Sequence, residues 1–177
     1  MGDFQSLGLF DPPLTVITTK EIYDESAGMT SSLMNNATAW PSANRAIFCP
    51  FYVKQVITIY QMAIEVTTQS GNLDIGIYKT DGTRLVSKGS TAVAAAGVQA
   101  VDITDTTLTP GIYFAALNID NTTAAVRAAA GSTVIAVMSG VRQQAVGAVT
   151  LPASATLAVA SSLTWPYIAL FTTGQTI

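Results

Sequence analysis

The chain has 177 residues, 49% of them apolar and only 11% charged, with a formal net charge of −3, no histidine and one cysteine. Its length suits one domain, large enough to bury roughly 70% of the surface of the unfolded chain. Without histidine there is no Ser-His or Cys-His nucleophile pair and no histidine metal site; one cysteine excludes thiolate zinc clusters and an intrachain disulfide; and the weak acidity, with no Lys/Arg run, argues against nucleic-acid binding.

Charge is scarce beside the average soluble domain, in which about 25% of residues carry it. From Gln143 to Ile177 there is no Asp, Glu, Lys or Arg at all. A monomer relies on charge to stay dispersed, so this composition points to a surface covered by partners, in a homo-oligomer or a larger assembly. No clean apolar stretch reaches eighteen residues, so no membrane span is expected. Met1-Gly-Asp-Phe-Gln lacks the basic start of a signal peptide, and its match to the loose myristoylation pattern is of a kind common by chance.

Residues 1–14 read as an extended N-terminal arm, and residues 15–177 as a single β-sandwich domain. In the arm Phe4, Leu7, Leu9 and Phe10 are apolar, but Gly2, Gly8 and Asp11-Pro-Pro13 prevent a sustained helix. Such a segment needs a surface to lie against, so these four residues are the candidate assembly contacts. Leu14–Thr19 reads as a first short strand. Ile22–Asn44, rich in Ser, Asn and Thr, reads as a long loop holding Trp40.

The core follows as short apolar runs between turns, the pattern of an all-β antiparallel sandwich of about eight strands with a jelly-roll-like arrangement. Arg45–Val53 is the first, and Pro50 makes it an edge strand or a bulged one. Gln55–Val66 is apolar on both faces through Tyr60 and alternates afterwards, so its beginning is expected to lie deep. In Asn72–Lys79 one face carries Leu73, Ile75 and Ile77, the other Asp74, Gly76 and Tyr78. Asp81-Gly82 is a hairpin signal that joins it to Arg84–Ser87. Gly89–Ala96 reads as a loop, Gly97–Ile103 as a strand, and Thr104–Pro110 as a connection. Gly111–Ile119 is apolar on both faces and therefore central. Ser132–Met138 fits strand or helix equally. Leu151–Val159 reads as strand or extended chain, and Leu163–Phe171 as the final strand.

Little in the chain suggests catalysis, and no cofactor is expected. Asp74 and Asp102 could form a glycosidase pair, but both are expected on solvated strand faces. Asp102, Asp105 and Asp120 lie at loop ends that a sandwich could gather around calcium. Trp40 and Trp165 are the candidate ligand platforms, with Tyr78 and Tyr167 as weaker ones, because exposed aromatics stack on sugar rings. Cys49, inside Ala46–Phe51, is expected to be buried and inert. Asn36-Ala-Thr38 and Asn121-Thr-Thr123 fit the glycosylation acceptor pattern.

The text Asn72-Leu-Asp-Ile-Gly-Ile-Tyr-Lys-Thr-Asp-Gly-Thr-Arg-Leu-Val-Ser87, followed by Val101-Asp-Ile-Thr-Asp-Thr-Thr-Leu-Thr-Pro-Gly-Ile-Tyr-Phe-Ala-Ala-Leu117, resembles β-sandwich modules in virion proteins of tailed bacteriophages. Similar text also occurs in carbohydrate-binding and other jelly-roll modules. The resemblance implies a non-enzymatic component of the particle exterior, made in the bacterial cytoplasm: a capsid decoration (cement) protein, a head fibre or a tail-associated module. It implies as partners a major capsid or tail protein and other copies of the chain, a trimer being favoured, with a host glycan or receptor as the alternative. It carries over no catalytic residues.

Overall fold

The computed structural model describes residues 16–18, 36–130, 139–160 and 164–172, and every helix-or-strand element within them is a β-strand. In chain order these are β1 (Val16–Thr18), β2 (Asn36–Ala39), β3 (Arg45–Val53), β4 (Ile57–Thr68), β5 (Asn72–Lys79), β6 (Arg84–Ser87) and β7 (Thr91–Ala92). There follow β8 (Gly97–Leu108), β9 (Gly111–Ile119), β10 (Ala125–Ala130), β11 (Arg142–Ala145), β12 (Ala158–Val159), β13 (Thr164–Pro166) and β14 (Ile168–Thr172). They form two antiparallel sheets of seven strands each. The chain is a β-sandwich, and it changes sheet repeatedly, as in a jelly roll: β3 and β5 belong to one sheet while β4 between them belongs to the other.

In the first sheet β4 is the hub. One edge pairs with β8 along most of its length, from Ile57↔Leu108 to Val66↔Gly97. The other edge pairs with β14 from Ile59 to Ile64, then with β10 at Val66 and Thr68. The final segment thus fills a fork, with β13 on β10 and β14 on β4. β1 lies on the far edge of β14, and β2 on β10. The second sheet runs β12-β11-β3-β9-β5-β6, with β7 also on β5.

The boundaries expected for β3, β5, β6 and β9 are the observed ones. The strand count differs because Leu163–Phe171 is broken at Tyr167, because β2, β7 and β12 are short pieces inside segments read as loops or extended chain, and because β10 and β11 lie on either side of Ser132–Met138 in a stretch given no strand reading. β8 runs five residues further than expected, to Leu108: Thr106, Thr107 and Leu108 find partners in Ile59, Thr58 and Ile57, and threonine suits a pleated surface. β11 reaches β3 only as far as Phe48. Pro50 lies beyond that point, so its missing N–H leaves no gap in that ladder.

The main core lies between the sheets. Ile47, Cys49, Phe51, Leu73, Ile75, Ile77 and Leu117 from one side meet Ile59, Met62, Ile64, Val101, Ile168 and Leu170 from the other. The expectation for β4 is corrected here. Ile57, Thr58 and Tyr60 near its start are only half buried, whereas Met62, Ala63 and Ile64 are fully buried. The deep end is where β14 covers the second edge. At Asp81-Gly82 the expected hairpin forms, with Gly82 at φ +87° and Ile77 facing Val86 across it. The readings for Phe4, Leu7, Leu9, Phe10 and Ser132–Met138 lie outside the described residues.

Candidate functional site

A strand face that alternates apolar inward and polar outward normally meets water on its outer side. On β5 the outward residues are Asp74, Gly76 and Tyr78, and neither Asp74 nor Tyr78 has any solvent exposure. The covering is the segment 146–157, between β11 and β12. It leaves β11, crosses the outer face of the second sheet, and returns to its origin, where Thr156 N–H donates to Gln144 Oε1 at 2.9 Å. A loop of this length with its ends held together is an Ω-loop; we call it the strap.

The strap is tied down strand by strand. On β9, Asn118 Nδ2 donates to Ala148 O (3.0 Å) and Val149 O (2.7 Å). On β5, Asp74 Oδ2 accepts Leu151 N–H at 2.8 Å, and Tyr78 donates to Pro152 O at 2.5 Å. On β6, Arg84 donates from its guanidinium to Leu151 O and from its backbone to Ala153 O. At the turn, Ala155 N–H donates to Gly82 O at 2.8 Å. A Cβ on Gly82 would lie 2.2 Å from Ala155 O, so the strap's path requires glycine there. Beneath it Ala46, Phe48, Tyr78, Phe114, Ala116, Leu151 and Ala155 form a second apolar core. Phe48 and Tyr78 meet edge to face at 5.1 Å, the geometry aromatic rings prefer.

Asp74 was expected on a solvated face, and this is corrected. Burial pushes its carboxyl up from the ordinary value, against the opposing pull of hydrogen bonds from Leu151, Gly89 and Ser87. Asp74 stands directly across from Asn118 in the β5–β9 register. Two central strands thus each offer a buried polar side chain to the strap backbone. Asp102 lies on the other sheet, exposed, accepting from Gln61 Nε2 at 2.7 Å. The two carboxylates therefore share no cleft.

The calcium grouping does not assemble either. Among the described residues no three acidic or cysteine side chains gather to hold a metal ion. Asp120 instead braces the β4–β5 turn: its carboxylate accepts from Asn72 N–H, Asn72 Nδ2 and Asn121 Nδ2 at 2.6–3.0 Å. Desolvation raises that carboxyl, but these donors outweigh it and hold it below the usual range.

Trp40 and Trp165 are corrected as ligand platforms. They are 1% and 2% exposed and belong to the main core. Trp40 follows β2, which is clamped on β10, and its Nε1 donates to Arg45 O at 3.1 Å. Tyr78 lies under the strap. Asn121 is tied by both ends of its amide, donating to Ser70 O and accepting from Thr123 and Ala124 N–H, so the acceptor pattern there serves the turn. Cys49 is fully buried, and burial pushes its thiol up, which keeps it an inert core residue.

Among the described residues, two surfaces remain on offer. The outward side of the strap exposes Gly147, Ala148, Thr150, Ala153, Ser154 and Thr156, continued by Ala158 and Val159, without one charged residue. At the β3–β4 end, Tyr52, Val56 and Ile112 are 50%, 63% and 56% exposed. A shallow hollow of about 240 Å³ beside Arg45, Gln144 and Thr156 carries no carboxylate. Residue patterning alone did not point to the strap anchors. The available signal was an Asp and a Tyr on the same face of a strand otherwise made for burial. No family model matches the chain, and no curated protein is significantly similar to it.

Proposed function

We propose that this protein is a non-enzymatic structural component that acts through subunit contacts, in the first place a decoration or cement protein on the exterior of a tailed-bacteriophage capsid. The observation that carries this reading is the strap. The chain devotes twelve residues, 146–157, to covering a sheet face, and the surface this creates is small-grained and uncharged. Such a surface suits close packing against a neighbour better than dispersal in water. The resemblance noted for Asn72–Ser87 and Val101–Leu117 corresponds to β5, β6, β9 and most of β8, the sheet-forming text of the sandwich, and it supplies the phage assignment. The burial of Trp40 and Trp165 takes away the two leading aromatics offered as glycan platforms.

On this reading copies associate, a trimer being favoured, and dock on a major capsid protein. At about 25 cal/mol per Å², each ~300 Å² of apolar surface covered contributes roughly 7 kcal/mol before ordering costs, repeated over symmetric copies. The test is to delete residues 1–13 and add the product to particles that lack the protein. A folded sandwich that no longer occupies the particle is expected; unchanged occupancy would refute the role given to the arm. Light scattering on the intact chain reports the oligomer, and a strict monomer that fails to bind any particle would overturn the proposal.

A further inference from the structure

Asp74 on β5 and Asn118 on β9 stand directly across from each other, and neither has any solvent exposure. Directly opposed residues have Cβ atoms about 4.5–5.5 Å apart, so two side chains this short can reach each other. The orientation of the Asn118 amide is fixed, because Nδ2 donates to two carbonyl oxygens, those of Ala148 and Val149. Its Oδ1 is left buried, and among the described residues nothing donates to it. A buried acceptor without a donor is costly and calls for a hydrogen.

The polar donors of this face are committed elsewhere. Leu151 and Gly89 give their N–H groups to the two oxygens of Asp74, each at 2.8 Å. The side chain of Ser87 also bonds to Asp74. The Tyr78 hydroxyl goes to Pro152 O and the Arg84 guanidinium to Leu151 O. Charge does not intervene. The strap has no ionisable side chain, and the outward residues of β9 (Ile112, Phe114, Ala116 and Asn118) have none. Arg84 on β6 is turned to the strap, while Lys79 and Lys88 are exposed. Burial pushes the Tyr78 hydroxyl up, so it keeps its proton in acid and neutral solution. The group that can still supply a hydrogen is the Asp74 carboxyl itself, and its burial favours the protonated form.

We propose that Asp74 is protonated when the strap is closed, that its hydroxyl donates to Asn118 Oδ1, and that the strap is a cover which loosens as pH rises. Loss of the proton sets two acceptors face to face in a buried place, and lifting the strap lets water reach the carboxylate. With the strap lifted, the carboxyl titrates near its ordinary value of about 3.9. Opening therefore gains up to about ten-fold per pH unit between that value and the higher one of the closed form, then levels off. The opened strap uncovers Phe48, Tyr78 and Phe114. The device belongs to the fold and does not rest on the assembly role.

The test follows the full chain by NMR. It reads the Asp74 carboxyl carbon against pH, beside the exchange protection of the Leu151 and Ala155 amides, which bond to Asp74 and to Gly82 O. The carbon is expected to titrate above the ordinary Asp range, and both protection factors to fall by up to about ten-fold per pH unit over the same interval. In Asp74→Asn, which has no carboxyl to titrate there, the fall at Ala155 is expected to disappear. A carboxyl that titrates at or below the ordinary value would overturn the shared proton. A raised titration with pH-independent protection would overturn the loosening, and so would an equal fall in Asp74→Asn. If that variant does not fold, the wild-type titration and protection decide both claims. None of these readouts involves particles, so the assembly role stands or falls on its own test.

Discussion

On the outer face of the second sheet Phe48, Tyr78, Asp74 and Asn118 are shut under the strap, while on the outer face of the first sheet Gln61, Glu65, Val98 and Asp102 stand partly or fully in solvent. Both faces belong to seven-stranded sheets around the same core. They differ in what their outward residues demand. The first face is served by water and by pairs across the ladder, such as Gln61–Asp102, Thr58–Thr107 and Glu65–Arg127. The second carries large aromatics that need covering, together with two polar groups, Asp74 and Asn118, that both bond to the strap's backbone. A covering segment with no regular structure is stable here because the sheet beneath satisfies its peptide groups.

The contrast can be broken most severely by emptying the strap core. Phe48→Ala is expected to cost about 3–5 kcal/mol in urea unfolding, through lost burial and a cavity, whereas Val98→Ala on the bare face is expected to stay within about 0.5 kcal/mol. Equal costs would mean that the strap is not packed. Next comes Asp74→Ala, which leaves the amides of Leu151 and Gly89 without their acceptor. About 1–3 kcal/mol per orphaned donor is expected, along with new protease cleavage between Gly147 and Ser154.

Acidity sharpens the comparison because Asp74 and Asp120 shift in opposite directions. Asp74 is raised, first by desolvation, so the folded protein holds that proton more tightly than the unfolded chain. Its stabilising contribution is complete below the ordinary Asp value of about 3.9 and is lost as pH rises through the raised folded value. Asp120 is lowered overall, so its contribution is present above that ordinary value and is lost as pH falls through the lowered one. The Tm of the wild type minus that of Asp74→Asn is therefore expected to fall with rising pH, and the same difference for Asp120→Asn to rise. Slopes of the same sign would refute the assignment. Smaller effects follow. Tyr78→Phe removes the bond to Pro152 O and is expected to cost about 0.5–1.5 kcal/mol. Glu65→Gln weakens the half-exposed pair with Arg127 and is expected to cost under about 1 kcal/mol.

The extent to which this could be read from residues alone follows the same division. Strands whose apolar residues recur every second position, such as β5, and turns with positive-φ glycines, such as Asp81-Gly82, were legible to the residue. Reading Asp74 as solvated failed because alternation shows that a side chain points away from the core and says nothing of what lies on that side. Residues 146–157 carry no period that would reveal them as a lid; their Ala, Thr, Gly and Pro read as a loop. Trp40 and Trp165 were misjudged for a related reason. Trp165 belongs to the short strand β13 and Trp40 directly follows the short strand β2; both strands are ordered by pairing with β10, and such pairing is long-range and leaves no local trace.

The strap also determines how its outer surface would behave in different solvents. With no Asp, Glu, Lys or Arg from Gln143 to Ile177, a contact made through Ala148, Thr150, Ala153 and Ser154 gains nothing from attraction between ions and loses nothing to counterions. Molar salt, which strips partners held by charge, would leave such an attachment in place and even tighten its apolar part.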